Sequence, residues 1–505
     1  GSSSNAPIAA GSYDIAIGGN TCTTKVTSGT QTTQNIAIGN AGIVATGGSS
    51  MAIGHSGVTA SKQNSTAIGV SSVAASGQNS TAIGVSGITA SGDGSTALGY
   101  SGIIASGNGS TALGTSSVSA RGADSVAIGN KTVEATYANN VAIGSDKVRA
   151  NTGMYAIAVG TKNVAAIAQN AVAIGSDSVT ASGEHSIALG SGGAYASGDN
   201  GIAIGTNNTT AANYSNAVAI GCGVTSAGSY SVAVGTGTSQ NKTTAGGNYN
   251  SVFGYYARTS ANFSSAFGSG ANATGSSSIA LGYNAGAYAP YATALGSQAV
   301  ASNENSIAIG AGASSTVANS NRSVAIGYGS SVRSNCVGSI ALGSDSVAIA
   351  ADELSIGTPA GAWGPSTLET TRKISHVTAG VNDTDAVNVA QLNAAIPSAM
   401  TGATSSAAGT SGLVPAPAAG DDTKFLSGDG TWKTVSGGGS YTAGNGIDIT
   451  NDEISIDTAV VATQTDLAGK QDTLTAGAGI NIDANNEISV VTNNINSTDW
   501  NALWQ

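Results

Sequence analysis

An Ala-Ile-Gly triplet, or a close variant of it, returns 23 times between Gly18 and Gly357. A fixed period of this kind means stacked structural units rather than independent globules. The closing glycines stand 15 residues apart from Gly39 to Gly144 and 14 apart from Gly254 to Gly310, with longer intervals at 18–39, 235–254 and 310–327. One unit runs Ser125-Val126-Ala127-Ile128-Gly129, then a polar turn, a second short strand Val133-Glu134-Ala135, and a small-residue turn before Asn140-Val141-Ala142-Ile143-Gly144.

Side chains alternate along a strand, so Val126 and Ile128 share one face while Ser125 and Ala127 share the other. Both faces carry apolar or small residues, and both must be covered. Gly supplies the positive-φ corner after each Ile strand, and the Ser, Asn and Gly turns reverse the chain. Two short strands per coil predict a two-sheeted roll. The 22 steps between the closing glycines, at about 4.8 Å each, predict a rod on the order of 105 Å long. Too few large apolar residues fall in each coil to offset the ordering of its backbone unaided, so obligate, cyclic self-association is expected. The ladder Ala67, Ala82, Ala97, Ala112, Ala127 and Ala142 is the expected surface of close approach to another subunit.

Charged residues make up only 9% of the 505 residues, and glycine numbers 73. Such values accompany disorder when apolar periodicity is absent, but here Ile and Val are regular, so the glycines are architectural. The net charge of -11 is uneven: residues 1–357 carry 11 Lys+Arg against 12 Asp+Glu, and residues 358–505 carry 5 against 15. With no basic stripe, nucleic acid and anionic membrane are poor partners. Cys22, Cys222 and Cys336 lie in different repeats and form neither a disulfide framework nor a zinc spacing. No apolar run is long enough to span a membrane as a helix, and the sequence opens at Gly1 without a charged-then-apolar leader, so any targeting or pro-segment is expected to have been removed or to lie outside these residues.

The repeat resembles the head of YadA-like trimeric autotransporter adhesins. A second segment, Arg372-Lys373-Ile374-Ser375-His376-Val377-Thr378-Ala379-Gly380 followed by Asp385-Ala386-Val387-Asn388-Val389-Ala390-Gln391-Leu392, looks like the neck of that family. The resemblance implies an all-β fold: a left-handed parallel β-roll solenoid, homotrimeric, narrowing through a neck that clasps the three chains. It makes Arg372, Ile374, Val377, Asp385, Val387, Asn388, Val389 and Leu392 the neck residues. His376 stands where the family often has Asn.

Beyond the neck the chain departs from that family. Pro397 stops any helix where coiled-coil heptads and a membrane-anchor barrel would follow. Instead Gly412-Leu413-Val414-Pro415-Ala416-Pro417 and Lys424-Phe425-Leu426-Ser427-Gly428-Asp429-Gly430-Thr431-Trp432 are similar to segments of phage tail and fibre proteins. Tyr441-Thr442-Ala443-Gly444-Asn445-Gly446-Ile447-Asp448-Ile449 is answered by Leu474-Thr475-Ala476-Gly477-Ala478-Gly479-Ile480-Asn481-Ile482, each copy ending in an Ile-Ser strand. These read as small β modules. The expected division is a roll over 1–357, a neck over 358–396, a linker over 397–440, and β modules with a Trp-containing end over 441–505. A short helix is expected between the two copies, over Val460–Lys470. Near the end, Trp500, Leu503 and Trp504 share a face, either as a trimer plug or as a docking surface for a virion or baseplate adaptor protein.

His55, His185 and His376 are isolated, so no nucleophilic triad assembles within one chain. Asp352-Glu353 and Asp421-Asp422 read as solvated pairs, which leaves a polysaccharide depolymerase as the minor alternative. No cofactor and no metal site is expected. Aromatic residues crowd between 249 and 291. Phe253 and Phe267 take the Ile position and are expected in the core. Tyr255, Tyr256, Tyr283, Tyr288 and Tyr291 fall at corners and turns and are the candidate receptor-binding residues; the alternative is a roll widened by aromatics packing on each other. The long interval Thr236–Tyr249 adds a loop beside them. The expected function is an extracellular, non-catalytic homotrimeric fibre of a phage or phage-like particle that adheres to polysaccharide or protein on a bacterial surface. The alternative is a bacterial surface adhesin.

Overall fold

The computed structural model describes residues 6–490 except 20, 25–33, 212–213, 239, 316–319, 363–368, 397–398, 436–443, 446, 451–452, 458, 460–479 and 486. It divides into two units, Gly1–Lys373 and Ile374–Gln505.

The first unit is a parallel β-solenoid of about 21 turns, in which 43 strands pair in register among the described residues. Each first strand pairs with the first strand of the next coil, as Val126, Ala127, Ile128 and Gly129 do with Val141, Ala142, Ile143 and Gly144. Each second strand does likewise, as Val133, Glu134 and Ala135 do with Val148, Arg149 and Ala150. Like residues therefore stack on like, and the sequence period becomes a set of straight rows.

The rows decide which face is the core. Ala67, Ala82, Ala97, Ala112, Ala127 and Ala142 are completely buried within the single chain, together with Val73, Ile88, Ile103, Val118 and Val133 from the second strand. The alanine ladder is thus the inside of the roll, correcting the expectation that it meets another subunit. Two strands so close together leave room for one large and one or two small side chains per coil, and Ala is the methyl-sized filler opposite Val or Ile. Buried Ser80 and Ser125 donate to Gly77 O and Gly122 O at 2.6 and 2.7 Å, so polar atoms entering this core are tied to the turn that delivers them.

The Ile row points the other way. Ile174, Leu281, Leu295 and Leu342 are 39 to 44% exposed. Phe253 and Phe267 belong to this row as well: Phe253 is 39% exposed, and its ring stacks on that of Phe267 at 5.0 Å. They are outward residues, not core, because strand alternation puts the Ile position opposite the buried Ala. On the second strand the outward row is mainly polar, with Thr59, Thr89, Thr180 and the pair Glu134–Arg149 at 3.3 Å, interrupted by Ala74, Ile104 and Ala165. The solenoid therefore has one apolar and one mainly polar outer face.

Coil geometry changes near residue 251. Most earlier coils have strands of five and three residues, as Thr66–Val70 and Val73–Ala75, and in two the strands run together as Thr96–Ala105 and Thr111–Ala120. Later ones have three and two, as Ser265–Phe267 and Asn272–Ala273. The lost residue comes from the corner after glycine, and the interior Val becomes Ala257, Ala271, Ala285 and Ala299. The shorter coils bury no large side chain from that position.

In the second unit the neck forms one helix, Val389–Ala395, with Asn388 as N-cap in a reciprocal capping box with Gln391. The module motifs form antiparallel hairpins: Phe425–Leu426 with Trp432–Lys433, Ile447–Thr450 with Glu453–Ile456, and Ile480–Ile482 with Ile488–Val490. No described helix is long and apolar enough to cross a membrane.

Candidate functional site

Two corners join the strands of each coil, and the candidate tyrosines are divided between them. Tyr255 and Tyr283 follow the closing glycines Gly254 and Gly282, two coils apart, and are 50 and 56% exposed. Tyr256 lies in the same corner at φ 56°, two residues before the second strand Arg258–Thr259, its ring 6.4 Å from that of Tyr255, and the Arg258 guanidinium lies 4.5 Å over its centre, a cation–π contact. Tyr288 and Tyr291 belong to the other corner. Of the five, only Tyr255 and Tyr256 form a ring pair among the described residues.

That second corner carries a feature the sequence reading passed over. Tyr230, Tyr249 and Phe263 stack in succession, with ring centres 5.1 Å apart and planes within 5° of parallel. They occupy a left-handed backbone position, φ 57 to 60°, which other coils fill with Asn64, Asn79, Asn139 or Asn200. Asn tolerates that conformation, whereas a bulky aromatic there is an outlier. Tyr291 stands in the same row at φ 58°, with Ser277 between it and Phe263. The signal was available: each residue stands two before the next first strand. Counting from the preceding glycine hid it, because the coil holding Thr236–Tyr249 is longer than its neighbours. The extra residues there form a turn in which Thr238 N donates to Asn241 O at 2.8 Å.

The neck residues fall into three groups. Arg372 closes the solenoid, donating to Ser346 Oγ at 2.8 Å and to the carbonyls of Ile356 and Ser344. Asp385 holds a turn by accepting from the backbone N–H groups of Val381 and Asn382, both at 2.9 Å, and those bonds, Asn382 first, keep its carboxyl below the usual carboxylate range. Asn388 Nδ2 donates to Val377 O at 3.1 Å, and Gln391 bonds both backbone groups of Gly380 at 2.8 Å. Ile374, Val387, Val389 and Leu392 form the third group. They are 51 to 70% exposed, and the helix buries none of its residues. His376 sits at φ 62°, a conformation that suits Asn.

One carboxylate of each acidic pair is tied to backbone, and Asp421 is buried rather than solvated as expected. Glu353 accepts from Ile349 N and Ala350 N at 2.7 and 2.8 Å. Asp421 pairs with Lys424 and accepts from Ala418 N at 2.8 Å. Burial pushes the thiols of Cys22 and Cys336 up.

In the hairpin 425–433, Asp429 accepts from Lys433, from Thr431 Oγ1 at 2.7 Å and from Thr431 N at 3.1 Å. Led by Lys433, these bonds lower its pKa to about 2. A depressed carboxyl stabilises the hairpin above its unfolded pKa of about 3.9, and that contribution is lost as pH falls through the folded value. Amide exchange at Thr431 is therefore expected to accelerate between about pH 4 and 2. Asp429→Asn should remove this pH step; a step of equal size in the variant would rule the carboxylate out.

Trp500, Leu503, Trp504 and the helix expected over Val460–Lys470 lie outside the described residues.

The YadA head domain repeat matches residues 60–86, 89–101, 105–132, 152–178, 166–192, 196–223, 260–285, 287–313 and 314–330. The coiled stalk of trimeric autotransporter adhesin matches residues 373–414. Among solved structures, the collagen-binding domain of the Yersinia adhesin YadA is 22% identical, over 50% of this chain and 84% of that one, with a TM-score of 0.19. No curated protein matches. The register of the coils, the repeat matches along them and the stalk match that follows agree: the chain carries a YadA-like head of β-solenoid repeats joined to a YadA-like neck.

Proposed function

We propose that the protein is a homotrimeric, non-catalytic adhesion fibre acting outside the cell that makes it, as part of a phage or phage-like particle that attaches to a bacterial surface. The observation that carries the trimer is the outward Ile row: a chain whose interior is already filled by Ala and Val still presents a continuous apolar face. Covering such a face with copies of itself follows the preference of symmetric assemblies, and straight register rows on each copy make the contact repeat coil after coil. The exposed Ile374, Val387, Val389 and Leu392 supply the same kind of surface in the neck, where three short helices would clasp. In this reading the roll extends to Gly357 and the clasp covers 358–396, and the left-handed coil sense is that of the YadA-like head.

The phage assignment rests on residues 412–432 and on the small hairpins that follow, which resemble fibre modules rather than heptads. A bacterial surface adhesin is the second reading, favoured by the stalk match over 373–414. Under either reading, solvent-facing aromatics on a rigid shaft are the contact points, offering flat area with few torsions to immobilise. The C-terminal Trp500, Leu503 and Trp504 are assigned to plugging the trimer or docking to an adaptor.

Tyr255→Ala with Tyr256→Ala tests the adhesive surface. Binding of the labelled fibre to host cells is expected to fall about tenfold, the loss of one to two aromatic anchors, while sedimentation still reports a trimer. Unchanged binding by a trimeric variant would remove these tyrosines from the contact.

A further inference from the structure

The polar outer row of the second strands changes character where the coils shorten. Thr225, Thr244, Arg258, Asn272 and Gly286 are successive register partners. Beside them Thr244, Gly246, Arg258, Thr259, Ser260, Asn272 and Thr274 line a recess of about 590 Å³. Gly246 opens it, since the turn position that holds Ser260 and Thr274 in the next coils has no side chain there. At the other end of the row, the Tyr288 ring lies over Gly286, so close that a Cβ on that glycine would meet Tyr288 Cζ at 2.5 Å.

From this arrangement we propose that the recess binds a carboxylated oligosaccharide, with a uronic acid as its recognised unit. Four features select that class. Arg258 is exposed and has no acidic partner among the described residues, and its contact with Tyr256 orients the guanidinium without neutralising it. A planar, permanently charged fork fits a carboxylate better than any other group. Asn272 Oδ1 is buried without a hydrogen-bond partner, as is Thr225 Oγ1 farther along the row. An unpaired acceptor of this kind is rare, and an amide that turns toward the recess accepts from a sugar hydroxyl. Thr244, Ser260 and Thr274 add hydroxyls whose lone pairs accept, and whose long bonds to Lys242 O, Thr274 O and Tyr288 O at 3.4, 3.4 and 3.5 Å are readily exchanged for a ligand's. The Tyr288 ring supplies the flat apolar surface on which the C–H face of a sugar stacks.

The spacing agrees with an extended ligand. Thr244, Arg258, Asn272 and Gly286 span three coil steps, about 14 Å at about 4.8 Å per step, with one functional group per step. A glycan laid along the solenoid would meet hydroxyl, guanidinium, amide and aromatic ring in turn. Nucleic acid is the poorer fit, because a single cation in a near-neutral solenoid gives no track for successive phosphates. The recess lies on the polar outer face, so trimer formation through the Ile row leaves it open three times per fibre.

This inference deepens the adhesive reading and rests on it. Its test uses the full-length fibre with tetragalacturonate as probe and the fully methyl-esterified tetramer as the uncharged control. Wild-type fibre is expected to bind the acid at least tenfold more tightly than the ester. Arg258→Gln should abolish that difference, and Asn272→Ala should weaken both ligands several-fold. Far-UV circular dichroism and sedimentation verify that each variant keeps its coils and its assembly. Equal binding of acid and ester by the wild type, no binding of the acid, or an acid preference that survives Arg258→Gln in a folded fibre each overturn the proposal. Host-cell adhesion of the same samples separates the two levels. A fibre that adheres but ignores tetragalacturonate loses the uronic acid and keeps the adhesive role, whereas one that binds the acid and adheres to no cell loses that role.

Discussion

A chain carrying Ile128→Asp, Ile143→Asp and Ile174→Asp is expected to sediment as a folded monomer. The three residues lie on one outward row, joined through Val159 by the register of successive first strands. Ile174 is 40% exposed in the single chain, so covering each such residue gains about 1 kcal/mol. Over some twenty coils that sum dominates assembly. An unpaired carboxylate in an apolar contact instead costs several kcal/mol, and in a cyclic trimer every substitution is present three times. The coils themselves should survive, because nothing in the interior changes. Thr89→Asp and Thr180→Asp, on the polar second-strand row, are the controls and should leave the sedimentation coefficient unchanged. If the threonine variants dissociated and the isoleucine variant did not, the interface would lie on the opposite face.

The second large effect concerns the closing glycines. Gly129 has φ 150°, and a Cβ there would lie 1.7 Å from Gly144 O in the next coil. Gly129→Ala therefore combines a backbone conformation that L-residues avoid with a clash against main chain, which has no rotamer by which to escape. A loss on the order of 3 to 5 kcal/mol is expected. Because each coil contacts only its neighbours, the damage should be local, seen as accelerated amide exchange in the coils around residues 114–160 and as a lower melting temperature. Gly48→Ala makes the comparison. Gly48 has φ 76° but open space where a Cβ would go, so only the conformational part, about 1 kcal/mol, should be lost. Equal effects at the two sites would mean that stacking distance does not constrain the row.

Both expectations turn on a point that repeat periodicity could not settle. Alternation along Ser125-Val126-Ala127-Ile128 showed that two faces exist, and it is silent on which is inside. Hydropathy favours burying Ile, yet the solenoid buries Ala127 and leaves Ile128 outward. The reason is the narrow gap between the two strands of a coil, which a pair of large side chains would force apart. The same geometry reverses the assignment of Phe253 and Phe267. In the shorter coils Ala257, Ala271 and Ala285 replace the interior Val, so burial within the single chain is least there.

The binding surface was legible only in part. Composition located an aromatic cluster between residues 249 and 291, and corner positions marked Tyr255, Tyr256, Tyr283, Tyr288 and Tyr291 as outward. Their division between two corners depends on how each coil closes, and so does the stack of Tyr230, Tyr249 and Phe263. The recess around Arg258 and Asn272 draws on three coils, and no sequence window contains its row of groups at their real spacing.

By itself the sequence determined a stacked all-β repeat, its coil lengths, its polar turns and the neck that follows, because period and glycine placement are local properties of the chain. Tertiary structure alone decided the direction of each row. That choice depends on the distance between two strands and on the volume left between them, quantities that arise only when the coil has closed.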